Sequence, residues 1–384
     1  MEKSRRRWAA LTVAAVAAGL LSPVAGTAAN AGAPLRLSPP TGRHPVGATE
    51  LHLTDTSRPD PWVPERTARE LMVTLWYPTD ARRGATTEYL SAEESRLLIE
   101  GKRLTGVPLD IFSTVKTYAR VDAPAAGAPG SLGLIVLSPG WTQPIATLTG
   151  LAEDLASHGY VVAGIDHTYE TYAITFPDGR IAGCAACALD DDRSFFGKLY
   201  QSRAADVSFV IDRLTGPKPA WRGSRLIDAA RIGMSGHSAG SASTIAAMVA
   251  DPRIDAGINV DGATDTGGAS MIPASGFTRP FLWLGNPEHV PGGRDKSWDA
   301  DWARMTGWKR WLTVAGTDHA SFTDLGIFAD QLGIDIGATT PGIRATEITR
   351  RYHRAMFDRH LRHRHQPLLD GASRRYPEVT VAAR

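Results

Sequence analysis

Hydrophobic positions along the chain fall into two periods. Short, dense apolar runs rich in β-branched residues occur at Glu70–Pro78 (ELMVTLWYP), Gly133–Gly140 (GLIVLSPG) and Tyr160–Asp166 (YVVAGID). Four more occur at Arg231–Gly236, Ala256–Gly262, Pro280–Gly285 and Trp308–Gly316. Such runs predict strands, and the near-continuous ones predict strands buried on both faces. Helical spacing appears instead at Ile145–Gly159, which ends on a glycine stop, and at Arg203–Leu214, Ser238–Ala250 and Gly342–His363. Strands alternating with helices imply an α/β fold with a mostly parallel central sheet and helices on both faces. In such sheets, sites lie beyond the carboxyl ends of the strands. Two stretches escape the pattern. Residues 32–68, rich in Pro, Gly and Thr, read as an extended lead-in or irregular surface cover. Residues 167–202 are too long for a plain connection and read as a lid-like insertion.

The N-terminus changes the picture. Lys3, Arg5, Arg6 and Arg7 precede an uncharged apolar run from Trp8 to Leu21, then small residues with a cleavage site at Ala29-Asn30-Ala31. The run is short for a bilayer span and fits a signal peptide over residues 1–31 better than a membrane anchor. The expectation is a secreted protein with one domain over 32–384. The Arg pair leaves the Sec and Tat routes both open. Cys184 and Cys187 are the only cysteines. They fit a loop-closing disulfide in an oxidising compartment better than a redox pair, and cannot by themselves supply a structural zinc site. Asp190, Asp191 and Asp192 lack calcium-ligand spacing and read as a solvated face or helix caps. A net charge of +2 on 384 residues gives no field for nucleic acid, which is excluded as a partner. No metal or cofactor is implied.

Gly236-His237-Ser238-Ala239-Gly240 carries the chemistry. Gly-x-Ser-x-Gly between a buried strand and a small-residue helix fits a nucleophile elbow, where crowding of the turn excludes side chains two before and two after the serine. A serine hydroxyl needs an adjacent base. His319 follows the strand ending at Val314 and can reach the elbow. His237 neighbours the serine, but the elbow is expected to point its ring away. His353, His360, His363 and His365 read as exposed surface, whereas His167 could line a pocket mouth and His289 stays open. Two carboxylates compete for the acid. Asp261 ends the first strand after the elbow helix; Glu288 follows the next strand. A buried strand-end aspartate needs a partner, which favours Asp261. Asp265 and Asp318 read as loop caps. An oxyanion hole needs two backbone donors, and Ala239 and Trp141 are the candidates.

The segments SPGW, DLASHGYVVAGIDH, GHSAG, GINVDG and GTDHASFTDL resemble the platelet-activating-factor acetylhydrolase family of α/β-hydrolases over most of the chain after the signal. The chain has Pro139-Gly140 where eukaryotic members often have His-Gly. The resemblance implies an α/β-hydrolase fold, Ser238 as nucleophile, His319 as base, Asp261 and not Glu288 as acid, and Trp141 and Ala239 as oxyanion donors. It implies small-molecule or lipid ester substrates with short or modified acyl chains, and transient contact with a lipid surface. A broader carboxylesterase, lipase or polyester hydrolase shares the same motifs. So do an acyltransferase that excludes water and a binding protein that has lost turnover.

Overall fold

The computed structural model describes residues 34–192, 194–264 and 270–383; the predicted signal peptide lies outside them. In chain order the strands are β1 (Val46–Asp55), β2 (Arg69–Pro78), β3 (Arg120–Val121), β4 (Leu132–Ser138), β5 (Val161–His167), β6 (Ile174–Thr175), β7 (Ile181–Ala182), β8 (Ile227–His237), β9 (Ile254–Val260), β10 (Phe281–Gly285), β11 (Lys309–Val314) and β12 (Val379–Ala383). The helices are α1 (Ala92–Gly101), α2 (Thr149–Ser157), α3 (Phe195–Thr215), α4 (Ala239–Ala250), α5 (Ser297–Arg304), α6 (Asp324–Leu332) and α7 (Gly342–Leu361). Ten strands form one sheet in the order β12-β11-β10-β9-β8-β4-β5-β2-β1-β3. The block from β5 through β4, β8, β9 and β10 to β11 is parallel, with β2 and β12 antiparallel at its flanks.

The parallel block explains its own hydrophobicity. Every residue of β4 is buried, and its side chains alternate between two cores. Leu134 and Val136 pack with Val207 and Val210 of α3 and Ile245 of α4, whereas Ile135 and Leu137 pack with Leu155 of α2 and Met356 of α7. A strand sandwiched this way has no face left for polar residues. Each large aliphatic chain so buried contributes roughly 1.5–3 kcal/mol by transfer from water.

Two expectations need correction. Residues 32–68 do not form only a lead-in, because β1 pairs along its full length with β2. Its alternation, Glu50 and His52 outward with Leu51 and Leu53 on the sheet's other side, was a legible period-2 signal. The stretch 167–202 is also less irregular than expected. It holds the β6–β7 hairpin and a short turn carrying the Cys184–Cys187 disulfide, and α3 already starts at Phe195. Asp192 accepts the Ser194 N–H and hydroxyl just ahead of α3, a turn at the helix entry and not a cap, since no side chain bonds the first N–H groups of α3.

Burying charge under the sheet leaves a measurable trace. Glu153 of α2 is fully buried, accepts the N–H groups of Tyr118 and Ala119 through Oε1, and leaves Oε2 without a partner. Burial, opposed only partly by those hydrogen bonds, pushes its pKa up to about 7 from 4.5. The folded state therefore holds this proton more tightly than the unfolded chain, so stability falls as pH rises from 4.5 through about 7. Glu153→Gln keeps the acceptor and removes the ionisation. We expect its Tm to exceed that of the parent by about 2–4 °C at pH 8, with the gain vanishing near pH 4, in thermal unfolding read at both pH values.

Candidate active site

The crowding inferred from the pentad is visible at the turn between β8 and α4. A Cβ on Gly236 would lie 2.2 Å from the backbone of Gly240, and one on Gly240 would lie 2.0 Å from the Ser138 carbonyl. Only hydrogen fits at either position. Ser238 between them takes φ 55° and ψ −122°, a conformation that a non-glycine residue adopts only when its surroundings enforce it. Its N–H bonds to the Val260 carbonyl, and Ser241 ties the turn down through Gly236 and Val260. The strain is thus held by two adjacent strand ends.

Asp261 immediately follows β9 and also has positive φ, at 55°. Asn259 clasps this turn by bonding both the N–H and the carbonyl of Gly262. Asp261 is buried; its Oδ1 accepts the Asn286 N–H at 2.6 Å, and its Oδ2 meets His319 Nδ1 at 2.6 Å. Burial raises the Asp261 pKa, but the bond and charge of His319, with His289 and the Asn286 N–H, bring it below the usual carboxylate value. His319 sits at the first position of a short 3₁₀ turn after β11, capped by Asp318, as that aspartate's sequence context predicts. Burial depresses His319, but the bond to Asp261 and its charge outweigh this and raise the imidazole above 6.5.

Glu288, the competing acid, is exposed, and its N–H bonds to Asn286 Oδ1. His289 stacks on Trp298 with centroids 4.3 Å apart and brings Nε2 to 3.7 Å from Asp261 Oδ1. His237 does not leave the site. Its ring lies 4.4 Å from that of His319, and its Nε2 donates to the His319 carbonyl at 2.8 Å. Burial lowers its pKa to about 3, so it is neutral and braces His319 from behind. His353 is not exposed either, being buried between Ser235 and the Thr349 carbonyl. His363 and His365 are exposed and His360 is half-buried against Trp308. Asp265 lies outside the described residues.

The turn after β4 crosses the elbow. A Cβ on Gly140 would come within 3.4 Å of Ser238 Cβ, so the Gly140–Trp141 turn lies against the serine. The Ala239 N–H heads α4, where no intrahelical acceptor exists for it. Trp141 is half-buried, its indole edge on to Phe195. Beneath this turn lies a buried ionic network that the sequence reading missed. Arg203 donates to the Pro139 carbonyl at 2.6 Å and to Glu170 Oε2 at 2.6 Å, while the Thr142 N–H bonds to the Glu170 carbonyl. Both ends of the turn are therefore tied to one ion pair. His167, expected at a pocket mouth, is instead buried in this network, between Ser138 Oγ and Asp206. Arg69 closes it by pairing with Asp60, Glu170 and Asp206. One signal was available: Arg203 shares the apolar stripe of α3 with Val207, Val210 and Leu214. A cavity of about 380 Å³ opens elsewhere, between β1, β2 and β5, and contains none of the predicted site residues.

A serine on a strained strand-to-helix turn at the end of β8, with a hydrogen-bonded Asp and His after β9 and β11 of the same sheet, defines the class as an α/β-hydrolase of serine-esterase type. Comparison with known proteins carries this further. A solved ferulic acid esterase from Streptomyces cinnamoneus superposes with a TM-score of 0.81 and 42% sequence identity, covering 91% of this chain and 100% of that one. A probable 1-alkyl-2-acetylglycerophosphocholine esterase of Arthroderma benhamiae is 27% identical over 89% of this chain and 92% of its own length. A bis(hydroxyethyl) terephthalate hydrolase of Streptomyces coelicolor is 29% identical over 35% of this chain and 34% of its own length. No protein-family model matches. The chain belongs to the family of α/β-hydrolase esterases that includes the Streptomyces cinnamoneus enzyme, and it acts on carboxylic ester bonds.

Proposed function

We propose that the chain is a secreted serine esterase that cleaves lipid-like carboxylic esters with short or modified acyl chains, through Ser238, His319 and Asp261. The observation that carries this reading is the 2.6 Å contact between His319 Nδ1 and Asp261 Oδ2 beside the strained Ser238 turn. With Nδ1–H donated to an ionised carboxylate, the free Nε2 is left as a base. Ser238 Oγ attacks the ester carbonyl carbon as its proton passes to Nε2. The carbonyl oxygen becomes an oxyanion facing the Ala239 and Trp141 N–H groups. Collapse returns the proton to the departing alcohol and leaves an acyl-serine. Water, deprotonated by the same Nε2, adds to that acyl carbon, the bond to Ser238 Oγ breaks as Nε2 returns the proton to that oxygen, and the acid leaves.

The pH dependence follows from the pair. His319 must be neutral to act as base, and its pKa is raised above 6.5. We expect kcat/KM to fall as pH drops through that value, with the acid limb of the pH–rate profile centred above 6.5. A flat profile from pH 5 to 8 is incompatible with this base.

Lipid-like substrates are supported by the Arthroderma benhamiae relative, whose name specifies an acetylglycerophosphocholine ester. A second reading, aryl esters, is supported by the 42% identical ferulic acid esterase and by the partly exposed Trp141 beside the serine. Hydrolysis rates across an acyl-length series, set against feruloyl and terephthaloyl esters, separate the two. An added alcohol acceptor exposes transfer in place of hydrolysis. Export is tested by N-terminal sequencing of protein recovered from culture medium: a start at Gly32 is expected, and an intact Met1 in the cell fraction sinks the signal peptide.

A further inference from the structure

Lys102 caps the C-terminal end of α1 and reaches over to the turn that crosses the elbow. Its Nζ donates to Thr142 Oγ1 at 2.5 Å, one residue beyond Trp141. It also lies 5.9 Å from the centre of the Tyr172 ring. That approach is possible because position 101 is glycine: a Cβ there would stand 2.3 Å from the same ring. Thr142 takes φ 63°, so the hydroxyl that Lys102 holds projects from a strained residue fastened to Glu170 and Thr171. A flexible side chain is thereby set in one place.

That ammonium has no carboxylate partner among the described residues. It is partly buried, and burial alone lowers its pKa to about 8. Its charge is felt at both His319 and His237, in each case against protonation. His319 remains 41% exposed on its side chain, so this group of residues opens to solvent and to substrate. Two trans peptide steps from Gly140 to Thr142 span at most about 7–8 Å. Gly140 itself abuts Ser238. A cation held without a counter-ion this close to the reacting serine is costly unless an anion arrives to pair with it.

We propose that Lys102 is a specificity-determining residue that pairs with a second, anionic group on the ester substrate, a carboxylate or a phosphate a few bonds from the scissile carbonyl. This rests on Ser238 being the nucleophile. Tyr172 flanks this place and Trp141 precedes Thr142 in the same turn, so an anion on an aryl or extended apolar stem fits it best.

The test uses matched ester pairs on the whole protein. They are 4-carboxyphenyl against 4-carbamoylphenyl butyrate, 4-nitrophenyl hemisuccinate against its succinamate, and the butyryl ester of glycerol 3-phosphate against that of glycerol. The parent enzyme should favour the anionic member of at least one pair by about tenfold or more in kcat/KM, carried by KM. Which pair responds tells carboxylate from phosphate. In Lys102→Met that ratio should collapse toward one, and Lys102→Arg should retain most of it. Binding of both members of each pair to Ser238→Ala protein, read by calorimetry, tests the same preference without turnover. If the parent hydrolyses nothing while its Ser238→Ala form still prefers the anion, the serine reading fails, the specificity role falls with it, and Lys102 is left as an anion-binding residue only. No anionic preference in any pair, or a preference unchanged in Lys102→Met even where both rates fall, overturns the proposal and leaves Lys102 as a brace for Thr142.

Discussion

Ser238→Ala should lower kcat for any cleaved ester by about 10⁶-fold, with KM nearly unchanged. The magnitude follows from the acyl-enzyme route: without the hydroxyl, water must attack the ester directly, aided only by the oxyanion donors and by binding. Those supply about 10³–10⁴ over water in serine hydrolases whose nucleophile has been removed. Neighbouring serines offer no substitute. Ser241 Oγ is committed to the Gly236 and Val260 carbonyls, and Ser235 Oγ to His353. The fold should survive, because no side-chain hydrogen bond caps α4 from Ser238. A fluorophosphonate should label the parent at Ser238 and leave Ser238→Ala unlabelled. Activity within tenfold of the parent would place the nucleophile elsewhere.

Asp261→Asn should lower kcat by about 10⁴-fold. Asp261 accepts on both oxygens, on Oδ1 from the Asn286 N–H and on Oδ2 from His319 Nδ1 and, at 3.2 Å, from the Asn286 side-chain amide. An asparagine can present its one oxygen to only one of them. With that oxygen on the fixed Asn286 N–H, it offers an NH₂ group to His319 Nδ1. The imidazole then accepts there and carries its proton on Nε2, the tautomer that cannot take the serine proton. The charge that raises His319 is lost as well, so the acid limb of the pH–rate profile should move down. Glu288→Gln is the control. Its side chain is exposed, and we expect less than about a twofold change, as for ordinary surface positions. The reverse ranking of the two variants in kcat would make Glu288 the acid.

Much of the parallel block could be read in the chain, because a strand buried on both faces must be apolar throughout and its neighbours must be helical. The ends were less legible. The strand β1 is half-solvated, so its signal is a weak alternation set in a Pro- and Gly-rich stretch. The start of α3 was placed eight residues late because Phe195 to Ser202 carries the contacts of the segment before it as well as a helical stripe. At the site, strand-end positions pointed to Ser238, Asp261 and His319 as separate candidates. His237 was misjudged, since its direction depends on where the His319 carbonyl lies, 82 residues later.

The sequence by itself determined the alternation of strands and helices, and the glycines without which Ser238 could not occupy its turn. Both are local consequences of burial and of steric room. Tertiary structure alone decided the rest. It seated Asp261, which its strand-end position had only favoured, against His319, folded His237 in behind that imidazole, drew Arg203, Glu170 and His167 beneath the Gly140–Trp141 turn, and left Lys102 beside it without a counter-ion among the described residues. The reason is physical. A charged side chain is assigned its role by the partner that lowers its free energy, and those partners come from strands and helices tens of residues apart whose meeting no local pattern encodes.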